Sequence, residues 1–130
     1  MKIKKQYIHQ AQRKQETATD LDDRFRVIYL LKEVYDIAAI SSHPVKIERT
    51  NWYRDPDVWI PLKNCAIDLH GEVHGDGEVL SRKDLDRIED YQSEGIKYII
   101  IWKAKSNGYS REGILKELDK HFKFKGYERR

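Results

Sequence analysis

The sequence predicts a mixed α/β fold, in which a small mixed sheet is flanked by helices. Three observations lead there. Apolar residues recur at steps of three and four in three separate stretches, the spacing of a helix with one buried stripe. Short runs rich in Val, Ile and Trp, bounded by Pro, Asn or Gly, lie between the first two stretches. A nearly continuous apolar run, Ile96 to Ala104, lies between the second and third. The resulting order is α-β-β-β-α-β-α, the pattern of helices packed on a sheet.

The first helix is expected over "QETATDLDDRFRVIYLLKEVYDIAA", with Leu21, Phe25, Ile28, Leu31 and Tyr35 inward and Thr19 as its cap. "SSHP" then breaks the chain, because Pro44 restricts His43 to extended conformations. "VKIERT", "DVWIPL" and "CAIDLHG" read as strands of the sheet. The second helix is expected over "SRKDLDRIEDYQSEG", with Ser81 as N-cap and Gly95 as the stop. "IKYIIIWKA" reads as a central strand covered on both faces. The third helix, "YSREGILKELDKHF", starts from Ser110 and turns Ile114, Leu115, Leu118 and Phe122 inward.

At 130 residues the chain is expected to form a single domain, 1–130. No apolar run reaches the roughly 20 residues of a membrane span, and the first residues lack the apolar core of a secretory signal. A single cysteine, Cys65, excludes an intrachain disulfide and a four-cysteine zinc site. The expected location is the cytoplasm. The net charge of +3 is concentrated at the ends. Segment 1–16 carries Lys4, Lys5, Arg13 and Lys14, and the tail 123–130 carries Lys123, Lys125, Arg129 and Arg130. Basic arms on a near-neutral middle suit contact with a polyanion, or serve only to keep the chain soluble.

The acids raise a sharper question. Asp57 opens one strand and Asp68 lies inside the next, flanked by Ile67 and Leu69. Neighbouring strands would aim both carboxylates into one volume, where they repel unless a cation joins them. Oxygen ligands of this kind suit Mg²⁺ or Mn²⁺, which can polarise a phosphoryl group and activate water. The bland alternative makes Asp57 a turn residue after Pro56 and presents Asp68 on an edge strand. His70 alternates with Asp68 on one strand face, and His74 follows a glycine. Either imidazole suits proton transfer or a structural role. Asp84 falls on the inward stripe of its helix, where an acid needs a partner. The spacing Ser81-x-x-Asp84 also fits a capping box, and Thr19-x-x-Asp22 has the same account. Trp52, Tyr53 and Arg54 precede Asp57 and suit either DNA contact or packing at the sheet edge.

The stretches "DDRF", "PDVW", "IDLHG", His74, Lys83-Asp84, "YQSEGI" and "YIIIWKA", in this order, resemble the PD-(D/E)XK nuclease superfamily. Within it the likeness is to Vsr-like (very short patch repair) endonucleases and their EDxHD homing-type relatives. It runs from about residue 19 to residue 105. The resemblance implies a restriction-endonuclease-like α-β-β-β-α-β core with a C-terminal helix, and a metal-dependent DNA endonuclease of phage or mobile-element type. It implies that Asp57 binds the catalytic ion, that His74 activates the attacking water or helps the leaving group, and that Asp84 orients that histidine. Asp22 stands where the family has a first-helix glutamate; Glu33, far along the same helix, is the alternative for that position. Asp68 and His70 occupy the (D/E)XK signature, with histidine in place of lysine. The zinc-binding cysteines and the aromatic wedge of the mismatch-repair members are absent, so mismatch specificity is not carried over. The expected partner is DNA, in the nucleoid. Two alternatives stay open: a branched-DNA (Holliday junction) resolvase acting as a homodimer, and a non-catalytic DNA-binding module.

Overall fold

The structure, a computed structural model, describes residues 19–70 and 80–123. The described elements are α1 (Thr19–Tyr35), β1 (Val45–Ile47), β2 (Trp52–Arg54), β3 (Val58–Ile60), β4 (Cys65–His70), α2 (Arg82–Ser93), β5 (Lys97–Trp102) and α3 (Arg111–Asp119). Strands β3, β4 and β5 form one sheet with β4 in the middle. β3 runs antiparallel to β4, and β5 runs parallel to it after the α2 crossover. Mixed α/β architecture is therefore present as expected.

Two details of strand pairing differ from the sequence reading. β1 does not join the main sheet; it pairs with β2 in a separate antiparallel ribbon, Val45 opposite Arg54 and Ile47 opposite Trp52. The ribbon turns at Asn51, whose φ of 57° suits a short polar side chain. And β5 is the outer strand of its sheet, not the central one. Its apolar run reflects cover on both faces. Ile99 and Ile101 are buried on one side, while Tyr98 packs into the cluster on the other. Helices above and below make even an edge strand read as continuous apolar sequence.

Each sheet face carries its own core. On one, α1 and α3 pack Val27, Leu30, Leu31, Ile114 and Leu118 against Ile60, Ile67, Ile99 and Ile101. On the other, Val45 and Ile47 of the ribbon and Tyr91 of α2 cover Trp59 and Ala66. α1 stops earlier than its periodicity suggests. Asp36 adopts φ 56° and its N–H returns to the Lys32 carbonyl at 3.1 Å, which closes the helix before Ile37. Thr19, expected as the cap, is already helical. The β3–β4 turn is a single 3₁₀ turn, Pro61–Lys63, closed by Asn64 in the left-handed region. That tight turn sets the hairpin register Val58 to Ile67.

Candidate functional site

The hairpin register has a direct consequence for the acids. With Val58 opposite Ile67, the preceding Asp57 lies beside Asp68. The Asp57 N–H donates to Asp68 Oδ1 at 2.9 Å, and the Leu69 N–H donates to Asp57 Oδ2 at 2.8 Å. The Asp68 carboxylate is thus fixed by the Asp57 backbone and the Asp57 carboxylate by the Leu69 backbone, at the C-terminal half of β4.

Three further elements converge on this pair. α1 brings Arg24, whose Nε lies 3.1 Å from Asp57 Oδ1. β5 brings Tyr98, whose hydroxyl donates to Asp68 Oδ2 at 2.6 Å. α2 brings Arg87, with Nε 3.8 Å from Asp68 Oδ2 and Nη1 3.4 Å from Asp84 Oδ1. Burial alone would ease deprotonation of Arg87, but Tyr98, Asp68 and Asp84 outweigh it and raise its pKa, so the guanidinium stays charged. Burial and the adjacent Asp68 together push the Tyr98 hydroxyl far up, so it remains a donor.

Asp84 joins the two readings that spacing left open. It is the capping residue: Ser81 Oγ accepts from the Asp84 N–H at 3.1 Å, and the Ser81 N–H donates to Asp84 Oδ2 at 2.9 Å. The same Oδ2 lies 3.2 Å from His70 Nε2. Its side chain is 4% exposed. Burial pushes the carboxyl up, yet the hydrogen bonds from Ser81 and the His70 imidazole outweigh burial and hold it below the ordinary carboxylate value. His70 in turn stacks on Trp102, ring centroids 4.4 Å apart. The register that sets His70 opposite Trp102 on β4 and β5 creates that stack.

Asp57, Asp68, His70 and Asp84 therefore come together. Asp84 partners His70, whereas the resemblance gives it to His74; His74 lies outside the described residues, as do Lys4, Lys5, Arg13, Lys14, Lys125, Arg129 and Arg130. Asp22 lies on α1, and its side chain is likewise outside the description. Glu33 takes Tyr29 and Arg111 as partners, not the acid pair. Arg54, expected at the DNA, is held with Arg49 on the buried Asp90 of α2, at 2.7 and 2.6 Å. Trp52 and Tyr53 are 73% and 55% exposed on the ribbon. Lys123 is exposed.

Sequence reasoning missed Arg24, Arg87, Tyr98 and Trp102 as members of the cluster. Arg87 had a signal, since it stands one helical turn after Asp84. Arg24 sits inside "DDRF", where attention went to the acids. Tyr98 had none, because only strand pairing brings it to Asp68.

Chemically, the cluster offers adjacent carboxylates, a carboxylate-oriented imidazole and two guanidinium groups. Asp57 and Asp68 are hard oxygen donors, and each oxygen that accepts one hydrogen bond keeps a second lone pair for a cation. Among the described residues, no three or more His, Cys, Asp or Glu side chains form a metal-holding group. Among them too, no helix is long and apolar enough to cross a membrane. No protein-family model matches the chain, and no curated protein or solved structure matches it significantly.

Proposed function

We propose that the chain is a metal-dependent DNA endonuclease that hydrolyses phosphodiester bonds. The observation that carries this reading is the convergence of Asp57, Asp68 and the Asp84–His70 pair, from the start of β3, from β4 and from α2, at one end of β4. Asp57 and Asp68 would hold Mg²⁺ or Mn²⁺, which when bound supplies Lewis acidity toward the phosphoryl group. Asp84 fixes the His70 ring through Nε2, which leaves Nδ1 to accept or return a proton. Arg24 and Arg87 put two permanent positive charges beside the place where negative charge would build up in phosphoryl transfer.

The test is nicking of supercoiled plasmid and cutting of a four-way junction with Mg²⁺, Mn²⁺ and EDTA. Wild type should cut only with metal, and both Asp57→Ala and Asp57→Asn should not. Preference for the junction, together with a dimer on sizing, would select the resolvase form. One observation favours the non-catalytic module instead. Both oxygens of each acid already accept donors from within the protein, so the pair needs no cation to be stable. A folded wild type that cuts neither substrate and is not stabilised by Mg²⁺ or Mn²⁺ selects that module.

A further inference from the structure

At the end of the sheet opposite the acid cluster lies a hollow of about 450 Å³. Lys63, Lys97 and Lys123 line it, with Tyr35, His121, Phe122 and one carboxylate, Asp36. The three lysines arrive from the β3–β4 turn, the first residue of β5 and the segment after α3. All three are exposed. Lys97 Nζ lies 5.5 Å from the centre of the Phe122 ring, and no ion pair engages any of the three among the described residues. The acids nearby are otherwise occupied. Asp36 is bound by Lys32 at 2.8 Å, Glu117 by Lys120 at 3.1 Å, and Asp119 accepts the Tyr35 hydroxyl.

Helix polarity does not account for so much charge. The C-termini of α1 and α3 approach the hollow through Tyr35 and through His121 and Phe122, each contributing about half a negative charge. Three lysines against about one unit from the helix ends and the charge of Asp119, whose partner Tyr35 is neutral, leave an excess of about one positive charge. The His121 pKa is lowered, first by burial and then by the neighbouring Lys97, with Glu117 opposing and Lys120 adding a smaller push in the same direction.

A second depression, about 570 Å³, adjoins the first and shares Lys97 and His121 with it. It follows the outer edge of β5, which pairs with no other strand among the described residues, beneath Ile88 and Ile100, and ends at Trp102, the residue stacked on His70. From Lys97 to Trp102 the strand advances ~17 Å. One end of this track is cationic, the middle is apolar along the outer edge of the described sheet, and the other end reaches the acid cluster through the Trp102–His70 stack.

We propose that the lysine-lined hollow is a phosphate-binding subsite, and that the hollow and the β5 groove form the track of a single nucleic-acid strand leading to His70. Phosphates would meet the lysines and the strand's edge N–H groups, and bases or sugars the isoleucine floor. The identity of the polyanion rests on the endonuclease reading; the charge excess does not.

Binding of a fluorescent single-stranded oligonucleotide is followed in EDTA, so that no cutting intervenes, across a range of salt. Neutralising two phosphate contacts lowers the slope of log K against log salt by about 1.4, at ~0.7 per phosphate of single strand. Lys63→Gln/Lys97→Gln should lose that much, and the matched control Lys46→Gln/Lys116→Gln should not. Where the double variant melts early, Lys63→Gln alone, on an exposed turn, should lose about half. Inorganic phosphate that displaces the strand at millimolar concentration from wild type but not from the double variant supports the subsite directly. An unchanged slope, an equal loss in the control, or a dimer on sizing that excludes the oligonucleotide overturns the proposal. A wild type that cuts plasmid but shows an unchanged slope refutes the track alone. A wild type that shows the slope loss but never cuts refutes only the endonuclease reading.

Discussion

Asp84 is where stability and proposed chemistry can be separated. Its carboxylate closes the capping box of α2, faces His70 and meets Arg87, all while nearly inaccessible. Asp84→Ala removes every one of these. The lost cap costs about 1 kcal/mol, and stripping a charged acceptor from partly buried donors adds about 2 kcal/mol. Unfolding in urea should therefore show a loss of about 3 kcal/mol. Asp84→Asn keeps an oxygen for the Ser81 N–H and loses only the charge. About 1 kcal/mol is expected, with the protein still folded. On the proposed function, the same variant should cut plasmid at a rate reduced by about 10²- to 10⁴-fold, the range for a disabled general acid or base.

The pH dependence tests the cause. The folded pKa of Asp84 is depressed, so the folded state binds its proton less readily than the unfolded chain. The charge therefore stabilises above the ordinary carboxylate pKa of about 3.9, and that contribution is lost as pH falls below it. The stability gap between wild type and Asp84→Asn should be full at pH 6 and close as pH falls below about 4. A gap that stays constant would mean that shape, not charge, is what Asp84 supplies. A folded Asp84→Asn protein that cuts at the wild-type rate would refute its role in orienting His70.

Three other expectations follow from single features. A Cβ at Gly113 would stand 1.8 Å from the Ser106 carbonyl oxygen and 2.3 Å from its carbon, so Gly113→Ala must move backbone. A loss of about 2–3 kcal/mol, or about 10 °C in thermal midpoint, should be seen by calorimetry. Asp90, 5% exposed, holds Arg49 and Arg54 and thereby ties the ribbon to α2. Asp90→Ala should cost about 2 kcal/mol, less than a fully buried pair because the arginines are partly solvated, and should raise amide exchange in β1 and β2 first. The Cys65 thiol is fully buried, and burial pushes its pKa up to about 11, partly countered by Lys97. It should resist thiol reagents at pH 8 until the protein unfolds. The folded state keeps that proton longer than the unfolded chain, so Cys65 should lower stability as pH rises above about 9, and Cys65→Ala should remove that alkaline loss.

Local chemistry made much of this legible. Ser81 and Asp84 announce the start of α2, and Ser110 that of α3, because a cap is written within three residues. Asp57 and Asp68 could be brought together on paper because two short strands joined by a tight turn must pair. The misreadings share a different origin. Nothing local distinguishes β1 pairing with β2 from β1 joining the sheet, since both bury Val45 and Ile47. Nothing local says that β5 is an edge, since helices cover both its faces. Arg24 and Tyr98 reach the acids from elements separated from them by long stretches of chain, and such partners have no period to betray them.

The charges on the sheet also give the cluster a direction. Near the C-terminal end of β4, Asp57, Asp68 and Asp84 are matched by Arg24 and Arg87, with His70 able to add a third positive charge. That end carries about one negative charge, which one proton cancels and one bound divalent cation reverses. The opposite end, with Lys63, Lys97 and Lys123, is positive. A polyanion entering this field is held first at the lysines, where charge is permanent, and meets the acids only along the β5 groove. Affinity and chemistry would then sit at opposite ends of one strand. Lysine substitutions should weaken binding with little effect on the rate from the bound state, and substitutions at Asp57 or Asp84 should do the reverse.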